Sequence, residues 1–89
     1  MLRYYLQVFG RVQGVGFRYT AAQLARAYAL TGWARNCYDG SVELEIQGDP
    51  ADIDLFIRQL NDHRWIRIDR ITREKRPLSA GEKEFCVRY

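Results

Sequence analysis

Two cysteines, Cys37 and Cys86, and one histidine, His63, are all the cysteine and histidine that the 89 residues hold. The cysteines lack Cys-x-x-Cys spacing and have no neighbouring histidine, which argues against a zinc site and leaves two free thiols as the expectation. A phosphatase loop of the Cys-x5-Arg type is excluded as well. The sixth residue after Cys37 is Glu43, whose carboxylate repels phosphate. No run approaches the roughly 18 apolar residues of a membrane span. Arg3, Gln7 and Arg11 break up the N-terminal stretch, so no secretory core is read and a cytoplasmic location is expected. Charge is only mildly one-sided, with 14 Lys and Arg against 11 Asp and Glu and a net +3. That is weaker than the basic stripe of a nucleic-acid binder and suits a protein that handles small anions. Neither a Walker A loop nor a G-x-G-x-x-G dinucleotide turn is present. Internal repeats, low-complexity tracts and linkers are absent too.

What is present reads as one domain over residues 1–89, large enough to bury a single core. Leu2, Tyr4, Leu6 and Val8 alternate with Arg3, Tyr5, Gln7 and Phe9, the period of a half-buried strand. From Phe17 the period changes: Phe17, Ala21, Leu24, Ala25 and Tyr28 share one helix face, and Gly32 is expected to stop the helix. A second strand is expected over Trp33 to Tyr38. It leads to Asp39-Gly40, which predicts a type I′ hairpin. Val42, Leu44 and Ile46 then face one way, and Glu43, Glu45 and Gln47 face the other. Asp49 as N-cap and Pro50 at the first helical position open a second helix with the stripe Ile53, Phe56, Ile57 and Leu60. Arg64 to Arg76 reads as a charged strand, bulged or bent between Ile68 and Ile71. Pro77 to Gly81 reads as a loop, followed by a short last strand with Phe85, Val87 and Tyr89 on one side and Cys86 on the other.

The order is β-α-β-β-α-β plus a short final strand. Two helices with one apolar stripe each cover one face of a sheet. The expected fold is therefore an α+β ferredoxin-like two-layer sandwich, with an antiparallel sheet whose other face is left partly to solvent.

Gly10-Arg11-Val12-Gln13-Gly14-Val15-Gly16-Phe17-Arg18 stands where the strand period gives way to the helix period. Glycines allow close backbone approach and positive φ, and a helix N-terminus offers unpaired N–H groups and a positive dipole end. Together they form an anion cradle, with the planar fork of Arg18 at its mouth suited to phosphate oxygens. The other reading is a structural turn with a solvated arginine. Asn36, just before the hairpin, either satisfies local backbone or serves the cradle. Asp39 reads as turn chemistry, His63 as a surface residue at a helix end, and Trp33, Trp65 and Tyr28 as core or rim aromatics.

The segment Gly10–Arg18 and the segment Gly32-Trp33-Ala34-Arg35-Asn36-Cys37-Tyr38-Asp39-Gly40-Ser41-Val42-Glu43 together resemble the acylphosphatase family. The first matches its G-x-V-Q-G-V-x-F-R loop and the second its G-x-x-x-N-x-x-D-G-x-V-E segment. The resemblance implies metal-independent hydrolysis of a carboxyl-phosphate anhydride by a monomer without cofactor. It carries the phosphate-binding arginine onto Arg18 and the water-orienting asparagine onto Asn36. The phosphate loop falls on the main-chain amides of Arg11, Val12, Gln13, Gly14, Val15, Gly16 and Phe17. It also implies a small acyl phosphate as substrate, inorganic phosphate or sulfate as a bound anion, and no nucleic-acid or membrane partner. An RNA-recognition module shares the element order, but it carries aromatics where this chain has Glu43, Glu45 and Gln47. A domain that binds a phosphorylated ligand without turning it over is separated from an enzyme by the resemblance alone.

Overall fold

A computed structural model of all 89 residues contains seven elements: β1 (Leu2–Arg11), α1 (Phe17–Ala27), β2 (Thr31–Asn36), β3 (Val42–Gly48), α2 (Pro50–Asn61), β4 (Arg67–Arg76) and β5 (Phe85–Arg88). The strands form one sheet in the order β4-β1-β3-β2-β5. The expected alternation holds where it bears on the core. Leu6, Val8, Val42, Leu44, Ile46 and Ala34 are at most 1% exposed, and they pack against Phe17, Ala21 and Ala25 of α1 and Ile53, Phe56 and Leu60 of α2. Asp49 caps α2 by accepting from the Ala51 N–H at 2.9 Å, with Pro50 at the first helical position. The predicted bulge in β4 is also present. Phe9 pairs with Arg70 and Gly10 with Ile68, so Asp69 is the extra residue.

Three expectations are corrected. The sheet is mixed, because β5 runs parallel to β2. β4 ends opposite Arg3, at the end of the sheet where β1 and β2 begin, so a strand that crosses from there to the far edge must run with β2. α1 stops before Gly32. Ala29 takes positive φ (55°), the Leu30 N–H reaches the Ala25 carbonyl at 2.8 Å and the Ala29 N–H reaches that of Arg26 at 3.2 Å. This is a Schellman ending with alanine where glycine is usual. Gly32 instead sits inside β2, opposite Ile46.

The hairpin is not type I′. Only Gly40 has positive φ (93°), the Gly40 N–H bonds the Cys37 carbonyl, and Asp39 accepts from the Ser41 N–H at 2.9 Å. Tyr38-Asp39-Gly40 is therefore a three-residue loop in which one glycine supplies the left-handed step. The second sheet face is left partly to solvent as expected, with Glu43 and Glu45 half-buried, but it is covered at one end. Arg3 is 4% exposed and Gln47 is buried beneath the Pro77–Glu84 crossing. Strand limits move slightly too, with β2 starting and ending two residues earlier than expected and β4 starting at Arg67.

Candidate active site

The β1–α1 connection is anchored at both ends by the core. Val12 and Phe17 are 1% and 2% exposed, while Gly14 and Gly16 between them are open to solvent. Gly14 and Gly16 have φ of 75° and 76°, and no atom lies within 4 Å of where a Cβ would stand on either. Gly16 is the N-cap of α1. It offers no side-chain cap, and the first turn holds no acidic residue. Residues 13–16 form a turn, but from Val12 to Tyr19 no main-chain N–H makes a well-aligned bond to a backbone acceptor. The first bond of the helix runs from the Thr20 N–H to the Gly16 carbonyl at 3.0 Å. A helix start left this bare concentrates unpaired donors and positive potential at one point. Arg11 lies just outside the loop, closing β1 opposite Arg67.

Arg18 and Asn36 meet at this point. With Val12, Gly14, Gly16, Phe17 and Tyr19 they line a cavity of about 140 Å³. Asn36 ends β2 on the same face as the fully buried Ala34, so its side chain reaches toward the start of α1. Its Oδ1 is buried and has no hydrogen-bond partner. A buried amide oxygen without a partner carries a desolvation cost of about 1–3 kcal/mol, which makes it the exception at this site. The Arg18 Nη1 donates to the Arg88 carbonyl at 2.8 Å, and its guanidinium lies 4.7 Å from the centre of the Tyr89 ring. The Tyr19 and Tyr89 hydroxyls are hydrogen-bonded to each other at the rim. Two larger hollows, of about 530 and 400 Å³, lie elsewhere, one around Gln59 and His63 and the other under residues 78–82. Neither holds an unpaired buried side-chain polar atom, and only the smaller cavity is lined by one, at Asn36.

Cys37, Glu43 and Tyr5, whose pKa values are shifted, lie outside the cavity lining. Cys37 is partly buried and unpaired, and burial pushes its thiol up from the ordinary value, which weakens it as a nucleophile. Glu43 lies on the opposite sheet face. Burial works to raise its pKa, but hydrogen bonds from the Tyr5 hydroxyl and Arg35 outweigh that and leave it lowered. Tyr5 itself is pushed up to about 12, first by burial and then by Glu43. Cys86 is exposed, as expected of a residue facing away from Phe85. The sequence did not announce Arg88, Tyr89 or the side chain of Gln13 as neighbours of the site. Two of these contacts span 70 residues and depend on β5 joining the far edge of the sheet.

The fold and site together define a class: small α+β sandwiches with an uncapped, glycine-flanked helix start beside a small cavity. The acylphosphatase family model matches residues 4–87, and the chain belongs to that family. It is 40% identical to the acylphosphatase of Clostridium acetobutylicum over 90 residues, covering 100% of this chain and 99% of that one. Against the acylphosphatase of Geobacillus kaustophilus the identity is 39%, with 100% and 96% covered. Among solved structures, the acylphosphatase from Bacillus subtilis superposes with a TM-score of 0.91 at 32% identity over 100% of both chains. Full-length HypF in its phosphate- and nucleotide-bound form superposes at 0.84 with 27% identity, over 99% of this chain but 12% of that one.

Proposed function

We propose that this chain, as one domain spanning residues 1–89, hydrolyses acyl phosphates to a carboxylate and inorganic phosphate without a metal. The observation that carries the reading is the unpartnered, buried Oδ1 of Asn36, which shares a cavity with Arg18 and the bare start of α1. The amides from Val12 to Phe17 and the Arg18 fork bind the phosphoryl oxygens. Charge spreads over those oxygens in a loose transition state, so catalysis rests on positioning and electrostatics. A carboxylate is a good leaving group and needs no acid to expel it.

Asn36 accepts a hydrogen bond from the attacking water through Oδ1, the atom that has no other partner. The water oxygen bonds to phosphorus, the bond from phosphorus to the acyl oxygen breaks, and the proton passes to a phosphoryl oxygen. The same reading takes the protein as a cytoplasmic monomer, a setting in which Cys37 and Cys86 remain thiols. Inorganic phosphate or sulfate would occupy the cradle as a competitive anion.

The test is turnover of a simple aryl acyl phosphate by the purified protein and by Asn36→Ala. The wild type should hydrolyse it with inorganic phosphate as a competitive inhibitor, and activity should survive dialysis against a chelator. Asn36→Ala should lose about a hundredfold or more in kcat, on the scale of one well-placed catalytic hydrogen bond, with the inhibition constant for phosphate nearly unchanged. A wild type that binds phosphate but turns nothing over would make this a binding domain.

A further inference from the structure

We propose that Gln13 is a positioning residue that sets Asn36 against the phosphate loop, an inference that rests on the reading of Asn36 given above. Gln13 lies in the middle of the loop, yet its side chain turns away from the cavity lining. Its Nε2 donates to the Cys37 carbonyl at 2.7 Å and to the Ser41 carbonyl at 2.8 Å. Both hydrogens of one amide are thus used across the neck of the β2–β3 hairpin, one of them on the residue next to Asn36.

The hairpin does not need these bonds for its own shape. The Cys37 N–H already bonds the Ser41 carbonyl at 2.8 Å, the Gly40 N–H bonds the Cys37 carbonyl at 3.2 Å, and Asp39 holds both the N–H and the hydroxyl of Ser41. Gln7 adds a bond to the Ser41 hydroxyl at 3.0 Å from β1. What Gln13 adds is a side-chain tie between two segments that are 24 and 28 residues apart. The amides of one segment hold the phosphoryl group, and the other segment carries the group that places the water. Their separation fixes the line of attack, and small misplacements of reacting groups are costly. Asn36 has no hydrogen bond through Oδ1 to hold it, so its backbone must be held instead.

The experiment is a double-mutant cycle of Gln13→Ala and Asn36→Ala, read as kcat, the inhibition constant for inorganic phosphate and the melting temperature. Gln13→Met is run alongside, since it keeps the volume and removes both donors. Gln13→Ala and Gln13→Met should each lower kcat about tenfold or more. Phosphate inhibition should stay near wild type, because the loop amides and Arg18 remain. With Asn36 already replaced, removal of Gln13 should cost kcat nothing further, because a positioning residue acts only through the group it positions. An unchanged kcat in Gln13→Met overturns the inference. So does a loss that persists undiminished in the Asn36→Ala background, or a matching rise in the phosphate inhibition constant, which would make the Gln13 side chain part of the cradle. If Asn36→Ala alone turns over normally, the reading of Asn36 has failed and the inference falls with it. That outcome shows on the Asn36 edge of the cycle, apart from any result on the Gln13 edge.

Discussion

Arg3 and Glu82, seventy-nine residues apart, form a two-pronged ion pair, Nη1 to Oε1 at 2.7 Å and Nη2 to Oε2 at 3.2 Å. Arg3 also donates through Nε to Glu45 at 2.6 Å and through Nη1 to Gln47 at 3.1 Å. A cation in the first strand thereby fastens the crossing that delivers β5, and with it Arg88 and Tyr89, to the site edge of the sheet. Bidentate arginine–carboxylate pairs of this kind fix geometry as well as adding energy.

The pair makes stability depend on acid. Burial acts to raise the Glu82 carboxyl, but hydrogen bonding and attraction from Arg3 prevail and leave it below its ordinary value of 4.5. The folded state then holds fewer protons than the unfolded one, so stability rises with pH across that gap. The contribution is complete above about pH 4.5 and fades as pH falls through the lower folded value. Glu43, also lowered, adds in the same direction. Melting temperature against pH should fall below about 4.5 in the wild type, and Glu82→Gln should melt lower at neutral pH with a shallower acid slope. A parallel slope in the variant would remove Glu82 from the account. Arg3→Met should cost about 2–4 kcal/mol, at or below the range for a fully buried pair, because Glu45 and Glu82 keep 21% and 19% of their side-chain surface.

On the proposed reading, Arg18 has two duties that one ammonium cannot share. Its Nη1 is tied to the Arg88 carbonyl, and its plane lies over Tyr89. The rest of the fork remains for an anion in the cavity it lines. A lysine is a single compact charge without that planar geometry. Arg18→Lys should lose about 3 kcal/mol of transition-state stabilisation, close to the loss of one oxyanion donor, and phosphate should inhibit it far more weakly. Steady-state kinetics with phosphate inhibition check this, and near-normal kcat/KM in Arg18→Lys would contradict it.

Ala29 ends α1 at φ 55°, where an L-residue pays a steric penalty that glycine avoids. Ala29 is exposed, so no packing is lost on trimming its methyl group. Ala29→Gly should stabilise by about 0.5–1 kcal/mol after the extra chain entropy of glycine is counted. For a domain of this length that is a rise of a few degrees in melting temperature, on the order of 4 °C. Thermal denaturation of the two proteins decides it, and an unchanged or lower midpoint would mean that the ending is not strained.

The fold was legible wherever one periodicity ran long enough to exclude the other. Leu6 and Val8, the Val42–Ile46 alternation and Ile53, Phe56 and Leu60 became core, with Ile57 partly buried against it, and Asp49-Pro50 marked a helix start from its own chemistry. The bulge at Asp69 showed as a break in pattern. What was not legible depended on contacts between distant residues. The burial of Arg3 requires two carboxylates from β3 and from the crossing, and nothing in its own neighbourhood predicts them. Gly32 carries the same local signal whether it stops a helix or lets a neighbouring strand come close. The candidate site was readable as residue types in two segments, but the tie between them runs through Gln13, whose side chain looked like one more loop residue.

Gly16 and Gly32 separate a glycine that lines the candidate site from a packing glycine. At Gly16 an added Cβ meets nothing within 4 Å and φ is 76°, a conformation this chain already imposes on Ala29 at 55°. At Gly32 the Cβ would lie 1.8 Å from the Glu45 carbonyl oxygen and 2.8 Å from its carbon, inside the ladder that carries Asn36. Backbone of β3 cannot yield by that much without breaking the pairing. Gly16→Ala should therefore fold, at a cost of about 1–2 kcal/mol for left-handed backbone. Gly32→Ala should lose well over that, or fail to fold, as a steric conflict with backbone demands. The functional order should be reversed among molecules that remain folded. Gly16 lines the cavity at the bare helix start, and a methyl group there takes space from the anion. Phosphate inhibition of Gly16→Ala should weaken at least tenfold, the equivalent of about 1.4 kcal/mol. Thermal melts and phosphate inhibition on both variants test the pair together. A Gly16→Ala protein that binds phosphate like the wild type would remove the start of α1 from the anion site, whatever its stability.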